Sequence, residues 1–327
     1  MARILDPGER FPDFVLPGVT GQPAHLYAHT GGRPVLVILL GNGEQRFRLP
    51  ENVPSVASDV VVVSSVPAET SGICFVDSQG SVLPKLLNNQ RFLAYVLDAN
   101  LRVVRVFRDI PSIEVVEEAF QAIPVRAPQE LTNQAPILLV DSVLSHERCG
   151  FLMQLWEEGG SVETGVEQST PSGRRPVISE RHKARRDHTV ADPKLIQLLT
   201  QLIGRRVLSE IERAFIYRPT RFEGFKIACY DSAESGFFHA HRDNLSPKTA
   251  HRRLAVSINL NTDFEGGGLR FPEFGSDRYR SEAGSARIFS CAHLHEVLPV
   301  TKGKRFALLT FLYDETSKRD AIDPFAV

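Results

Sequence analysis

The stretch GFFHAHRDN, residues 236–244, puts His239, His241 and Asp243 at every second position. Alternate side chains of an extended strand share a face, about 6.6 Å apart for each two-residue step. An imidazole and a carboxylate at that spacing can bend toward one ion. Two histidines and one carboxylate, with the remaining positions open, form the three-point arrangement that suits non-haem Fe(II). An H-x-D pair needs a further imidazole from elsewhere. The downstream text CAHLHEVLPVTKGKRFALLTFLY (291–313) offers His293 and His295, with Arg305 ten residues after the second.

The elements that must hold these residues read as strands. From residue 222 onward, FEGFKIACY, RRLAVSINLN, GLRFPEF, SARIFS, LHEVLPV and RFALLTFLY are separated by glycine-rich and polar turns. Before them, PILLVDSVLSHERCGFLMQLWEEGG (136–160) reads as a strand and then a helix. Ser145 precedes a helical run that brings Cys149, Leu152 and Trp156 to one face. A second helical stretch spans 192–215. Six or more short strands after leading helices predict an antiparallel barrel or jelly roll with helical support. His295 and Arg305 are expected on consecutive strands of one hairpin, turned near Lys302 and Gly303 through a three-residue loop.

Three segments in this order resemble the 2-oxoglutarate- and Fe(II)-dependent oxygenases of the prolyl-hydroxylase branch. KIACYDSAESGFFHAHRDN (226–244) looks like that family's path from a cosubstrate tyrosine into H-x-D. RRLAVSINLNTDFEGGGLRFPEFG (252–275) looks like its middle strands with a Gly-Gly turn. HEVLPVTKGKRFALLTF (295–311) looks like its distal histidine, turn and basic residue. The likeness runs from about 136 to 315 and implies a double-stranded β-helix, or jelly roll, with supporting helices. It implies that His241, Asp243 and His295 bind Fe(II), and that Tyr230 lines the same pocket. Arg305 would pair with the far carboxylate of 2-oxoglutarate, since a guanidinium is a planar fork suited to carboxylates. Asn259 stands where many relatives place a cosubstrate-binding tyrosine, and its amide can still donate, at shorter reach. The cosubstrates implied are 2-oxoglutarate and O2, with ascorbate as a candidate accessory reductant. The implied reaction hydroxylates an amino-acid, peptide or protein substrate and releases succinate and CO2. His239, a further 6.6 Å back along the strand, becomes a bystander. The "HEV" context and the spacing to Arg305 favour His295 over His293.

The N-terminal part has a different pattern. PVLVILL (34–40) and VVVVSSV (60–66) are continuous apolar runs, as in strands covered on both faces. AYVLDANLRVVRVFR (94–108) reads as two strands around the turn Asp98-Ala99-Asn100. SIEVVEEAFQAI (112–123) has helical spacing with Ser112 as N-cap. This α/β layout, with LDPGERFPDFVLPGVTGQPAHL before it, resembles the thioredoxin-fold peroxiredoxins over most of residues 4 to 122. Those enzymes carry a reactive cysteine soon after the strand matching PVLVILL, where this chain has GNGEQRFRLPENV. Cys74 falls well beyond that position and is expected to be a small buried hydrophobe. The domain is therefore read as silent in thiol chemistry, which needs a thiolate, and open to a docking or dimerisation role.

The proline-rich seam AIPVRAPQELTNQAP (122–136) separates the two patterns. The expected division is a thioredoxin-like domain over 1–125, a linker over 126–135 and an oxygenase domain over 136–327. A net charge of −1 gives no reason for attraction to nucleic acid or an anionic membrane. No apolar run approaches a bilayer span. Four cysteines without a C-x-x-C pair suit a reducing cytoplasm. The basic run GRRPVISERHKARRDH (173–188) reads as a solvated segment or, more sharply, as a lid favouring an acidic substrate. Gly266-Gly267-Gly268 reads as a tight turn. Two competing classes are a non-catalytic sensor of iron or 2-oxoglutarate and a thiol peroxidase acting through the N-terminal part.

Overall fold

The structure is a computed structural model that describes residues 3–318, apart from 19, 31, 42–58, 69–71, 125–129, 164–165, 171–172 and 178–182. For residues 59, 166–170 and 173–177 it describes the backbone path alone. The chain divides into two compact units, Met1–Gln129 and Glu130–Val327. Ala135, expected in the linker, is buried in the core of the second unit, and its N–H donates to the Tyr279 hydroxyl at 3.0 Å.

The first unit begins with a hairpin of β1 (Val15–Pro17) and β2 (Pro23–His25) and the short helix α1 (Leu26–Thr30). Then follow β3 (Val35–Leu40), β4 (Asp59–Ser64), β5 (Ile73–Val76), α2 (Leu83–Leu87), β6 (Phe92–Leu97), β7 (Val103–Phe107) and α3 (Ile113–Gln121). One sheet in the order β5-β4-β3-β6-β7 forms the centre, parallel across β3, β4 and β5 and antiparallel across β6 and β7. Strand alternation explains the unbroken apolar run of β3. Val35, Val37 and Leu39 enter one core with Phe11, Leu16 and Leu26, whereas Leu36, Ile38 and Leu40 pack with Val116, Ala119 and Phe120 of α3. The Asp98 side chain accepts from the Asn100 and Arg102 amides and closes the expected turn between β6 and β7. Ser112 occupies the N-cap of α3, but its hydroxyl makes no capping bond. Cys74 is 1% exposed on β5. The segment from Asn42 to Val53, where a peroxidatic cysteine would be sought, lies outside the described residues.

The second unit holds β8 (Ile137–Val140), α4 (His146–Glu158), β9 (Val162–Glu163), β10 (Val166–Thr170), β11 (Gly173–Val177), β12 (Lys183–Ala184), β13 (Arg186–Thr189) and α5 (Pro193–Phe215). Next come β14 (Arg221–Phe222), β15 (Lys226–Asp231), β16 (Phe237–His241), β17 (Leu254–Asn259), β18 (Glu265–Gly266), β19 (Leu269–Arg270) and β20 (Arg278–Tyr279). The last are β21 (Ala286–Ser290), β22 (His295–Val297), β23 (Val300–Lys302) and β24 (Lys304–Tyr313). A major antiparallel sheet runs β8-β21-β17-β24-β15-β13-β9, and a minor one runs β12-β16-β22-β19-β20. Along β15, Ile227 and Cys229 point to one side, where Leu152 of α4 and Leu199, Ile203 and Val207 of α5 cover the major sheet. Ala228 and Tyr230 point to the other, sharing a core with Leu269 and Val297 of the minor sheet. Ser145 caps α4 by accepting from the Arg148 amide, and Asp192 caps α5 by accepting from Lys194 and Leu195. Two stacked antiparallel sheets with helices on one outer face are a jelly-roll layout. No helix among the described residues is long and apolar enough to cross a membrane.

His295 and Arg305 do not share the expected hairpin. β22 belongs to the minor sheet and β24 to the major one, while β23 between them pairs with β18. The turn at Gly303, at φ +74°, joins β23 to β24 instead. The two residues meet across the interior, from opposite sheets.

Candidate functional site

The minor sheet assembles the histidines. β16 and β22 pair antiparallel with His241 directly opposite His295, ring centroids 4.3 Å apart. The register slips between Phe238 and His241, so β16 carries an extra residue there. Such a bulge breaks strict alternation and re-aims a side chain. Phe238 and His241 consequently stack, with centroids 3.6 Å apart and an 18° interplanar angle, while His239 is exposed. Asp243 follows in the turn, its N–H donating to the Cys291 carbonyl at 3.0 Å. His241 Nε2 lies 3.6 Å from one carboxylate oxygen of Asp243, and His295 Nε2 lies 3.3 Å from the other. One ligand atom from each of the three residues falls within 4.8 Å of the others.

Hydrogen bonding fixes which nitrogen faces the centre. Nδ1 of His241 is 2.7 Å from the His239 carbonyl, and Nδ1 of His295 is 3.0 Å from that of His293. A carbonyl only accepts, so Nδ1 carries the proton and the Nε2 lone pair stays available to a metal. Burial pushes His295 down to about 4, which keeps it neutral at physiological pH. Burial opposes ionisation of Asp243, but His295, His241 and Arg252 outweigh it and hold the carboxyl well below the usual range. The donor set fits Fe(II) in chemistry and spacing. His293, the competing histidine, packs against Phe274 and contributes its carbonyl rather than its ring.

The major sheet supplies the anion side. Arg305 of β24 pairs with Tyr230 of β15, its guanidinium carbon 5.3 Å from the ring centroid. Arg305 is 2% exposed, and its Nη1 has no hydrogen-bond partner among the described residues. A buried donor left without a partner is costly, and a carboxylate would satisfy it. Asn259 is displaced from its expected role. Its amide nitrogen donates to the Asn261 and Ser281 carbonyls at 2.7 and 3.0 Å, and its oxygen accepts from Arg305 Nε at 3.4 Å. It does not line the cavity; it braces Arg305 from behind the site. A short amide on β17 spends its reach on backbone neighbours.

The triad, Tyr230 and Arg305 line one cavity of about 800 Å3. Lys183, Arg185 and Lys226 line it too. The first two belong to the basic run that the sequence places in solvent or in a lid; residues 178–182 of that run lie outside the described residues. Arg185 holds Asp187 through Nε at 2.7 Å and Nη2 at 2.8 Å, and its Nη1 donates to the Tyr230 hydroxyl at 3.2 Å. Lys183 is 4% exposed, with Nζ 3.5 Å from Asp187. Lys183, Arg185 and Asp187 stand at alternate positions, the same period that singled out His239, His241 and Asp243, and that period was the available signal.

Comparisons with known proteins agree with this geometry. Residues 225–313, which hold the triad, Tyr230 and Arg305, match the family model described as the 2OG-Fe(II) oxygenase superfamily. The matched residues lie wholly within the second unit. A PKHD-type hydroxylase of Synechococcus sp. is 26% identical over 117 residues, covering 32% of this chain and 51% of the relative. A PKHD-type hydroxylase of Alteromonas mediterranea is 37% identical over 65 residues, covering 20% of this chain and 29% of the relative. The chain thus spans about half or less of the length of these relatives. The crystal structure of a Pseudomonas putida prolyl-4-hydroxylase superposes with a TM-score of 0.41 at 15% identity, covering 56% of this chain and 94% of that one.

Proposed function

We propose that the second unit is an Fe(II)- and 2-oxoglutarate-dependent hydroxylase acting on an amino-acid, peptide or protein substrate. His241, Asp243 and His295 would hold the iron, and Arg305 the far carboxylate of 2-oxoglutarate. The observation that supports this most is the convergence of two Nε2 lone pairs and an ionised carboxylate in the matched region, facing a buried guanidinium with a donor to spare. Iron in such a site supplies O2 activation coupled to conversion of 2-oxoglutarate to succinate and CO2. The chain's own residues supply position and dryness. Phe238 stacks on His241, and Phe289 packs edge-on to His295 at 4.8 Å, so apolar rings shield the ligands from water. The Tyr230 hydroxyl accepts from Arg185 at 3.2 Å and lines the cavity.

Anaerobic titration of the full chain with Fe(II) and then 2-oxoglutarate, followed by succinate assays with amino acids and peptides, tests the reading. His241→Ala and Asp243→Ala are expected to abolish succinate release. Arg305→Met is expected to keep metal binding and weaken 2-oxoglutarate binding about 10- to 100-fold, the worth of a hydrogen bond to a charged group. Unchanged turnover in both ligand variants would sink the assignment.

For the first unit we infer a thioredoxin-like fold of the peroxiredoxin kind, serving docking or dimerisation rather than thiol chemistry. The strand order, the switch from parallel to antiparallel pairing at β6 and the terminal helix α3 support it, as does the burial of Cys74. All four cysteines are free and buried, which favours a reducing cytoplasmic setting.

A further inference from the structure

The interior of the second unit holds a second buried guanidinium, that of Arg287 on β21. It is 2% exposed, and its Nε has no hydrogen-bond partner among the described residues. The charges that act on it are those of Arg305 and Arg280, both positive, and no carboxylate opposes them. Burial and these two cations push Arg287 down to about 9, so it stays charged at neutral pH. A buried charge without a counter-ion is costly, and an arriving anion offsets that cost. Strand alternation turns Arg287 inward. Its neighbours Ala286 and Ile288 belong to the core beneath the helices, whereas Phe289, two positions on, lines the cavity and packs edge-on to His295. Across the major sheet, Arg287 stands opposite Ser257 of β17, and Ser257 stands opposite Leu309 of β24. Ser257 and Leu309 both line the cavity. Two residues along β17, Asn259 accepts from Arg305 Nε. Arg287 and Arg305 thus flank one strand, from β21 on one side and β24 on the other.

We propose that Arg287 is a second arginine of the cosubstrate site, acting with Arg305 on the far carboxylate of 2-oxoglutarate. The pair makes the site select a dicarboxylate over a 2-oxo acid with an uncharged tail. The proposal rests on the oxygenase reading and adds a specificity-determining residue to it. Arg305 brings an unpartnered Nη1 and Arg287 an unpartnered Nε. A carboxylate has two oxygens with about four lone-pair sites, enough for donors from both. Arg280 does not compete for it, because its Nη2 donates to the Thr262 and Phe264 carbonyls at 2.7 Å and the residue is exposed. Asn259 gives Arg305 an oxygen but no negative charge. An uncharged tail would leave two buried guanidinium groups unmatched, and that penalty sets the discrimination.

The test loads the full chain anaerobically with Fe(II) and titrates it calorimetrically with 2-oxoglutarate and with 2-oxopentanoate. The second ligand keeps the keto-acid end and the carbon skeleton but ends in a methyl group. The wild type is expected to prefer the dicarboxylate about 100-fold or more, roughly tenfold for each hydrogen bond to a charged group. In Arg287→Met the preference is expected to fall about tenfold through weaker 2-oxoglutarate binding, while 2-oxopentanoate binds no more weakly than before. A packing role for Arg287 would instead weaken both ligands alike. Arg305→Met leaves position 287 native, and a preference of about tenfold is expected to remain in it. That measurement decides the matter even where Arg287→Met does not fold. An unchanged preference or an equal loss of both ligands in Arg287→Met, or no residual preference in Arg305→Met, overturns the proposal alone. Failure of the wild type to bind 2-oxoglutarate overturns the oxygenase reading and this proposal with it.

Discussion

Both imidazoles of the site are set by partners that do not themselves touch the candidate ion. The carbonyls of His239 and His293 orient the two imidazoles, so these neighbours contribute backbone rather than rings. Lys183 is placed at a cost, since burial disfavours its charged form. Its amine titrates near 7 in the folded chain against 10.5 for the free group. Between those values the unfolded chain binds the extra proton and the folded chain does not, so stability rises with pH across that window. Below pH 7 both states are protonated, and the burial cost is constant. In the metal-free protein, Lys183→Met is therefore expected to flatten the dependence between pH 7 and 10.5. Urea unfolding at pH 7 and 9 for both proteins measures it.

At the scale of elements, small departures from regular geometry carry the function. The bulge in β16 separates His239 from His241, for His241 stacks on Phe238 whereas the His239 ring packs against Phe237. Gly267 is a second such device. It lies just after β18 at φ +62°, and a Cβ there would stand 3.0 Å from Val300 Cγ2 and 3.1 Å from Arg305 Cδ. The turn therefore needs glycine both for its left-handed backbone and to leave room for the anion-binding arginine. Gly267→Ala is expected to cost about 1–2 kcal/mol in stability from the backbone alone. By displacing Arg305 it should also raise the dissociation constant for 2-oxoglutarate while Mn(II) binding stays intact. Parallel thermal melts and 2-oxoglutarate titrations of the metal-loaded variant separate the two effects.

At the scale of the whole molecule, two units with separate cores share one chain, and the chemistry is assigned to the second. The full chain is expected to consume hydrogen peroxide no faster with dithiothreitol than a thiol-free control, because Cys74 is buried on β5. Consumption that Cys74→Ser removes would return the first unit to the thiol peroxidases. The α/β and β-rich patterns, the break between them and the H-x-D segment were all legible in the sequence, because periodicity and proline-rich seams are local properties. His295 and Arg305 could also be named, since their order along the chain is preserved whichever sheets they join. Local pattern could not reveal the bulge, the placement of β22 and β24 in opposite sheets, or the commitment of Asn259 to Asn261 and Ser281. Nor could it tell that Lys183 and Arg185, in a run of basic residues that reads as solvated, turn inward. A charged strand residue faces water or a cavity according to which strand lies opposite. That pairing, Lys183 against Phe238 and Arg186 against Cys229, exists only once the two sheets have closed on each other.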